Sequence, residues 1–304
     1  FLVVALVVGG LVGIVATADR QRARAEAERA AALQEVDRAR AGLLRSVSHD
    51  LRTPLATIHA VATDLRSGPA DDAAIRDELL DLFHGLGYSV YQSPEVERDE
   101  YNFTKLNFPP DHPARDAHDT YFVSDEVVLR THTSPGGVRA MEERTPPLRL
   151  VFPGRVYRAE QVDASHMDQF HQIDGLFVDR NVSMADLKAT LNTFARAIYG
   201  PKARTRLIPI SFPFVEPGVQ MDVQCATCTG TGRYRDEQGE RRCPVCKGTK
   251  WVEVLGAGMV HPNVFRAVGY DPEQVTGFAF GMGLERITMG RHGIHEIRQF
   301  LEND

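Results

Sequence analysis

The sequence predicts an α+β protein in which strands and helices interleave behind an apolar N-terminal helix. Three observations carry that expectation. Phe152 to Val178 reads as a β-hairpin, Ser183 to Gly200 reads as a capped amphipathic helix, and residues 1–18 contain no charge. A chain of 304 residues that is 43% hydrophobic can bury a substantial core, as one large domain or two ordinary ones. Its formal net charge of −6 gives no global nucleic-acid signal, so any such contact must come from a local patch or another subunit. The chain opens on Phe1 rather than Met and closes just past a helix-like segment, so both ends are expected to be truncated.

Residues 1–18, FLVVALVVGGLVGIVATA, are followed at once by Asp19, Arg20, Arg22 and Arg24. As a helix this run spans roughly 27 Å, enough for a slightly short transmembrane segment with the arginines on the cytoplasmic side. A signal-peptide core is the alternative, but no basic region precedes the run. From Arg20 to Val47 an Ala-, Arg-, Glu- and Leu-rich helix continues. Leu33, Val36, Ala39, Leu43, Val47 and Leu51 recur at three- and four-residue steps, as in a coiled-coil or helical-hairpin seam. His49 lies between seam positions and should face solvent, with Asp50 beside it and Pro54 loosening the helix. The stretch SVSHDLRTPLATI, residues 46–58, resembles the H-box of sensor histidine kinases, most closely the potassium-sensing type. The resemblance implies that His49 is a phosphoacceptor, that Asp50 assists it, and that two copies dimerise through the helices of residues 19–82. No kinase ATP-binding domain follows, so His49 could serve only another protein's kinase.

Near Phe83 the character changes to a helix end at Gly87, a strand, and a turn at Ser93-Pro94. The hairpin carries Arg155, Arg158 and Glu160 on one arm and Phe170, His171, Gln172 and Asp174 on the other. Burying such groups costs free energy unless a partner satisfies them. A bound anion and a polar small molecule would do so. Ser183 should cap a helix whose Met184, Leu187, Leu191, Phe194 and Ile198 form one apolar face, ended by Gly200-Pro201. Phe212 and Phe214 alternate in SFPFVEP, residues 211–217, as on the buried face of a strand. Cys225-x2-Cys228 and Cys243-x2-Cys246 carry glycine-bearing turns and suit a closed four-thiolate zinc site without catalytic function. Reduced cysteines or a redox pair are the alternatives. In WVEVLGAGMVHPNVF, Gly256 and Gly258 permit close backbone approach. GFAFGMGLERITM, residues 277–289, reads as strand into helix.

Residues 83–304 resemble the α subunit of phenylalanyl-tRNA synthetase, a class II aminoacyl-tRNA synthetase. The resemblance rests on YNFTKLNFPPDHPARDAHDTYFV, LRTHTSP (residues 129–135), the Arg158-x-Glu160 arm of motif 2, the FHQIDG arm, SFPFVEP and the GMGLER of motif 3. It implies an antiparallel sheet flanked by helices, with the cysteine knuckle of residues 225–248 inserted. It also implies activation of phenylalanine with ATP and its transfer to tRNA(Phe), beside a β subunit. Arg158 and Arg286 would be catalytic, on the α- and γ-phosphates. Glu160, Gly281, Gly283 and Glu285 would complete the ATP site. Phenylalanine would be held by His132, Ser134, Gln172, Asp174, Phe212, Phe214, Gly256 and Gly258. Glu216 would bind Mg2+, and the four cysteines structural Zn2+. The family usually has Glu at position 174. The family change inside a helix at Leu82/Phe83 reads as a join of two segments, with a cytoplasmic catalytic part anchored at the inner membrane. An inactive chimera, or a phosphoacceptor fragment of two-component signalling, is the alternative.

Overall fold

A computed structural model describes residues 70–159, 167–236, 239–292, 294 and 297–300, all within the unit Gly68–Asp304. The expected membrane segment 1–18, the helical seam, His49 and Glu160 lie outside the described residues. Among the described residues no helix is long and apolar enough to cross a membrane.

Helix α1 (Ala70–Gly85) opens the described fold, and Gly87, at φ +84°, turns it into the two-residue strand β1 (Ser89–Val90). Then come β2 (Val96–Arg98), the short α2 (Asp99–Asn102), β3 (Phe122–Ser124), β4 (Val127–Leu129) and α3 (Pro135–Glu143). The long strands β5 (Leu148–Tyr157) and β6 (Gln169–Asp179) lead to α4 (Met184–Tyr199), β7 (Thr205–Pro209) and β8 (Val215–Gln224). A small hairpin, β9 (Arg233–Asp236) and β10 (Gly239–Arg242), precedes β11 (Trp251–Val260), α5 (Pro262–Ala267), β12 (Thr276–Gly283) and α6 (Leu284–His292).

Seven strands form the main sheet in the order β1-β5-β6-β12-β11-β8-β7. Every neighbouring pair is antiparallel except β1 with β5, which run parallel. The sheet is therefore mixed, where the sequence reading expected an antiparallel one. The reason is connectivity: the chain between β1 and β5 makes a long excursion through α2, α3 and three other strands, so no hairpin forces the return direction. β5 and β6 form the expected hairpin, with Phe152 opposite Asp174 and Arg155 opposite His171.

Strand alternation divides the molecule into two cores. Leu176 and Val178 of β6 lie in a cluster with Val138 and Met141 of α3 and Val264 and Phe265 of α5. Ile173, of opposite parity, lies with α1, α4 and α6. Asp174 and Gln172 share the parity of Leu176, so they stand on the α3 and α5 face, where the site forms. α4 follows its sequence signals: Ser183 and Asp186 make a reciprocal capping box, Leu187, Leu191, Phe194 and Ile198 are buried, and Gly200 ends the helix at φ +94°. α1 runs unbroken through Leu82 and Phe83 and buries Ile75, Leu79 and Phe83 in the cluster that holds α4. Phe83 stacks on Phe280 of β12 with ring centroids 5.1 Å apart. Two site segments fall outside the strands, the second of them where the sequence reading expected strand. β4 stops at Leu129, before the His132 and Ser134 segment, and the β8 ladder starts at Val215, leaving Phe212 and Phe214 in the turn before it.

Candidate functional site

A cavity of about 540 Å³ opens at the ends of β5, β6, β11 and β12. Among its lining residues are His132, Ser134, Arg158, Gln172, Asp174, Phe212, Phe214, Gly256, Gly281, Gly283, Glu285 and Arg286. Segments more than a hundred residues apart thus meet at one place. Gly258 and Glu216 do not line it. A Cβ on Gly258 would fall 2.6 Å from the Pro217 carbonyl oxygen, so this glycine serves the close approach of β8 and β11. The Glu216 side chain is 74% exposed, with Oε2 3.3 Å from His261 Nε2.

One end of the cavity is aromatic. Phe212 and Phe214 stack with centroids 5.7 Å apart, and His132 stacks on Phe214 at 6.1 Å. Gly256 admits the Phe212 ring, since a Cβ there would lie 2.9 Å from Phe212 Cζ. Burial lowers His132 to about 4, with the charges of Arg158 and Arg130 acting in the same direction. The ring is therefore neutral at pH 7, and its Nε2–H donates to the Asn102 carbonyl at 2.9 Å.

Beside this stack lies a buried carboxylate. Asp174 Oδ2 accepts from Ser134 Oγ at 2.5 Å. Ser134 stands at the N-cap of α3 yet makes no side-chain cap bond, its hydroxyl being committed to Asp174. Gly281, directly opposite Asp174 in the ladder, leaves room for the carboxylate: a Cβ would lie 2.5 Å from Asp174 Oδ1. Burial raises Asp174 to about 6 against the opposing pull of Ser134, Thr133, Arg158 and Arg130. Asp174 Oδ1 and Gln172 Oε1 are buried without a hydrogen-bond partner. Two such acceptors in one cavity fit a cationic or N–H-bearing ligand group.

The other end holds cations. The Arg158 guanidinium lies 5.0 Å from the Phe170 ring centroid and its Nε–H donates to the Thr131 carbonyl at 3.3 Å. Arg286, at the start of α6, is half-exposed and lies 3.7 Å from Glu253 of β11. Glu285 points to protein rather than outward: its Oε1 accepts from the backbone N–H of His171 at 2.7 Å and from the ring Nδ1–H at 3.0 Å. It thereby fixes α6 to β6. Gly283 meets nothing within 4 Å of where a Cβ would stand, so open space lies beside it.

Sequence reasoning missed Arg130. This buried side chain donates to the Arg155 carbonyl at 2.8 Å, the Ser93 carbonyl at 2.9 Å and Ser93 Oγ at 3.1 Å. It ties the His132 segment to the strand that carries Arg158. Its one local signal is position, a cation directly after the strand-like Val127-Val128-Leu129. Asn102, which donates to Thr131 Oγ1 at 3.1 Å and accepts from His132, was also missed.

The cysteines form a separate centre between β8 and β11. All four Sγ atoms lie within 4.8 Å of one another, with Cys225 to Cys243 at 3.8 Å and Cys228 to Cys246 at 3.6 Å. Four tetrahedral Zn–S bonds of about 2.3 Å require sulfur separations near 3.8 Å, so the donor set fits zinc in both chemistry and spacing. The turns around it need left-handed backbone, at Gly230 (φ +75°), Gly232 (φ +77°) and Gly248 (φ +80°). Burial pushes Cys225 up to about 12. For Cys228 burial acts the same way, but the N–H of Gly232 at 3.3 Å and neighbouring thiols bring it down to about 7.

Comparison with known proteins places these features in context. The profile of the family described as tRNA synthetases class II core domain (F) matches residues 60–304, and so includes α1. The phenylalanine–tRNA ligase α subunit of Trichlorobacter lovleyi is 53% identical over 228 residues, covering 75% of this chain and 64% of that protein. Its counterpart in Nitratidesulfovibrio vulgaris is 51% identical over 233 residues, covering 77% and 66%. The chain thus spans just under two thirds of the length of these relatives. In fold it is similar to pyrrolysyl-tRNA synthetase from Desulfitobacterium hafniense, with a TM-score of 0.56 at 17% identity over 87% of this chain and 83% of that one.

Proposed function

We propose, for a chain that belongs to the tRNA synthetases class II core domain (F) family, that it activates phenylalanine with ATP and transfers it to tRNA(Phe). It would act as a catalytic α subunit completed by a β subunit, as the names of its relatives suggest. One observation carries the choice of amino acid: the Phe212–Phe214 stack adjoins the unpartnered acceptors Asp174 Oδ1 and Gln172 Oε1 in a single cavity. A ligand satisfying both has an aromatic ring at one end and an ammonium group at the other.

In this reading the phenylalanine carboxylate attacks the α-phosphorus of ATP, giving aminoacyl-adenylate and pyrophosphate. Two anions must approach, so the work of the site is alignment and charge neutralisation. Arg158 holds the α-phosphate with its planar fork, and Arg286 reaches the γ-phosphate. Asp174, Gln172, Ser134 and neutral His132 seat the amino end. Gly281 spares the Asp174 carboxylate and Gly283 leaves space for adenine, whose amino group Glu160 accepts. Glu285 completes the ATP site with its unpartnered Oε2 while its Oε1 braces β6 through His171. Magnesium, when bound, spreads charge over the phosphates. Glu216, outside the cavity and beside His261, would offer it one hard carboxylate oxygen. Zinc on the four cysteines is structural. We retain residues 1–18 as a membrane anchor with the following segment on the cytoplasmic side and His49 as phosphoacceptor. Because the family match begins at residue 60 and α1 runs through Leu82 and Phe83, the junction moves upstream of the expected Leu82/Phe83. Alkaline extraction of membranes tests the anchor.

The deciding experiment is phenylalanine-dependent ATP–pyrophosphate exchange by the purified chain, with and without a bacterial β subunit. Exchange should depend on phenylalanine and fall at least a hundredfold, about 3 kcal/mol of transition-state stabilisation, in Arg158→Ala. Folded protein that shows no exchange even with β would refute the reading.

A further inference from the structure

The basic residues of this acidic chain are unevenly placed. Between Cys225 and Lys250 the sequence holds six arginines and lysines against three acids, inside a chain of formal net charge −6. The β9–β10 register sets Arg233 opposite Arg242, Tyr234 opposite Arg241 and Arg235 opposite Glu240. Residues directly opposite share a face of the ribbon, so cations stand on both of its faces. Arg233 and Arg242 are like charges in register, an arrangement that costs stability. Glu240 offsets part of that cost, reaching Arg233 at 3.1 Å. All four arginines are exposed, and Tyr234 between them is 38% exposed. The ribbon pairs with no other described strand. Beneath it the cysteines are at most 5% exposed, so the negative charge that four thiolates on zinc would carry would be buried, while the arginines above are exposed.

We infer that this ribbon is an RNA-contacting arm that grips the phosphodiester backbone of structured RNA away from the catalytic cavity. Arg235 and Arg241 bind phosphates and Tyr234 packs on a sugar or base. The inference deepens the synthetase reading by assigning a grip on its RNA substrate, and it rests on that reading. Planar guanidinium forks match phosphate oxygens two at a time. An aromatic ring among them adds a surface on which a base can stack. The wide, shallow minor groove of A-form RNA leaves phosphates and 2′-hydroxyls open to such exposed arginines.

The test uses the zinc-loaded 304-residue chain in detergent and a fluorescein-labelled tRNA(Phe) transcript, with anisotropy measured across a potassium chloride series. The double variant Arg235→Gln/Arg241→Gln should bind about tenfold more weakly at physiological salt. The slope of log affinity against log salt should fall by roughly 1.5, as two lost phosphate contacts require. Arg235→Lys/Arg241→Lys should keep the slope. Zinc content and phenylalanine-dependent exchange should match the parent in both, since neither arginine lies at the cavity or the metal. Unchanged RNA affinity and slope in the zinc-retaining glutamine variant would overturn the inference, as would loss of β-subunit assembly with RNA binding intact. If exchange is absent from the parent chain while the slope still changes, the synthetase reading fails and the RNA arm stands. Exchange present with slope unchanged gives the reverse.

Discussion

Asp174 and His132 titrate in opposite directions within one cavity. Burial raises Asp174 to about 6. Between its ordinary carboxylate value and about 6, the unfolded chain has lost this proton while the folded chain keeps it. Native stability therefore declines as pH rises through that window and is fully present only below it. Burial lowers His132 to about 4. Its contribution is complete above about 6.5 and is lost as pH falls toward 4. Each shift corresponds to on the order of 3 kcal/mol, so over their common range the two slopes largely cancel. Asp174→Asn removes one of them. Urea unfolding should show the variant more stable than the parent at pH 7 by on the order of 2 kcal/mol, with stability falling steeply below pH 6 where the parent stays nearly flat. A ligand ammonium also needs the ionised carboxylate. Phenylalanine affinity of the parent, followed by calorimetry, should drop about tenfold per pH unit below 6.

At the level of elements, β12 presents two glycines with different reasons to be glycine. Gly281→Ala would press a methyl against Asp174 Oδ1, whereas Gly283→Ala meets no protein atom within 4 Å. The first should weaken phenylalanine binding and lower the melting temperature. The second should leave melting unchanged and raise the KM for ATP in pyrophosphate exchange. Equal melting losses in both would contradict this distinction. The strand-into-helix turn at residues 277–289 was legible in the sequence, as were the α4 cap at Ser183, the β5–β6 hairpin and the cysteine spacing. Each is set by residues close in the chain. Arg130 was not, because its partners Arg155, Ser93 and Pro94 are 25 to 37 residues away and are mostly backbone carbonyls. Their identity leaves no side-chain pattern to read. The parallel β1 escaped for a related reason, since two residues carry no periodicity. The Ser134 hydroxyl is withdrawn from capping α3 and donates to Asp174, a pairing 40 residues apart that no local pattern announces.

At the scale of the whole described fold, the four-cysteine cluster packs apart from the two main cores. Cys225, Cys228, Cys243 and Cys246 form their own buried cluster with Val245 and Val252, distinct from both main cores. Chelation should therefore release one zinc per chain and raise amide exchange across residues 225–250, while β5, β6 and β12 keep their protection. Global loss of protection on chelation would mean that the two cores depend on the knuckle.

The strand order has a consequence for biosynthesis. β12 comes last in chain order among the described strands, yet it lies between β6 and β11 at the middle of the sheet. Until it emerges from the ribosome, the nascent sheet exists as two halves, β1-β5-β6 and β11-β8-β7, each with a bare inner edge. Those edges are templates for pairing with other chains. A nascent chain stalled just short of β12 therefore carries an exposed hazard and a half-built site, with Asp174 paired to β5 on one side and bare on the other.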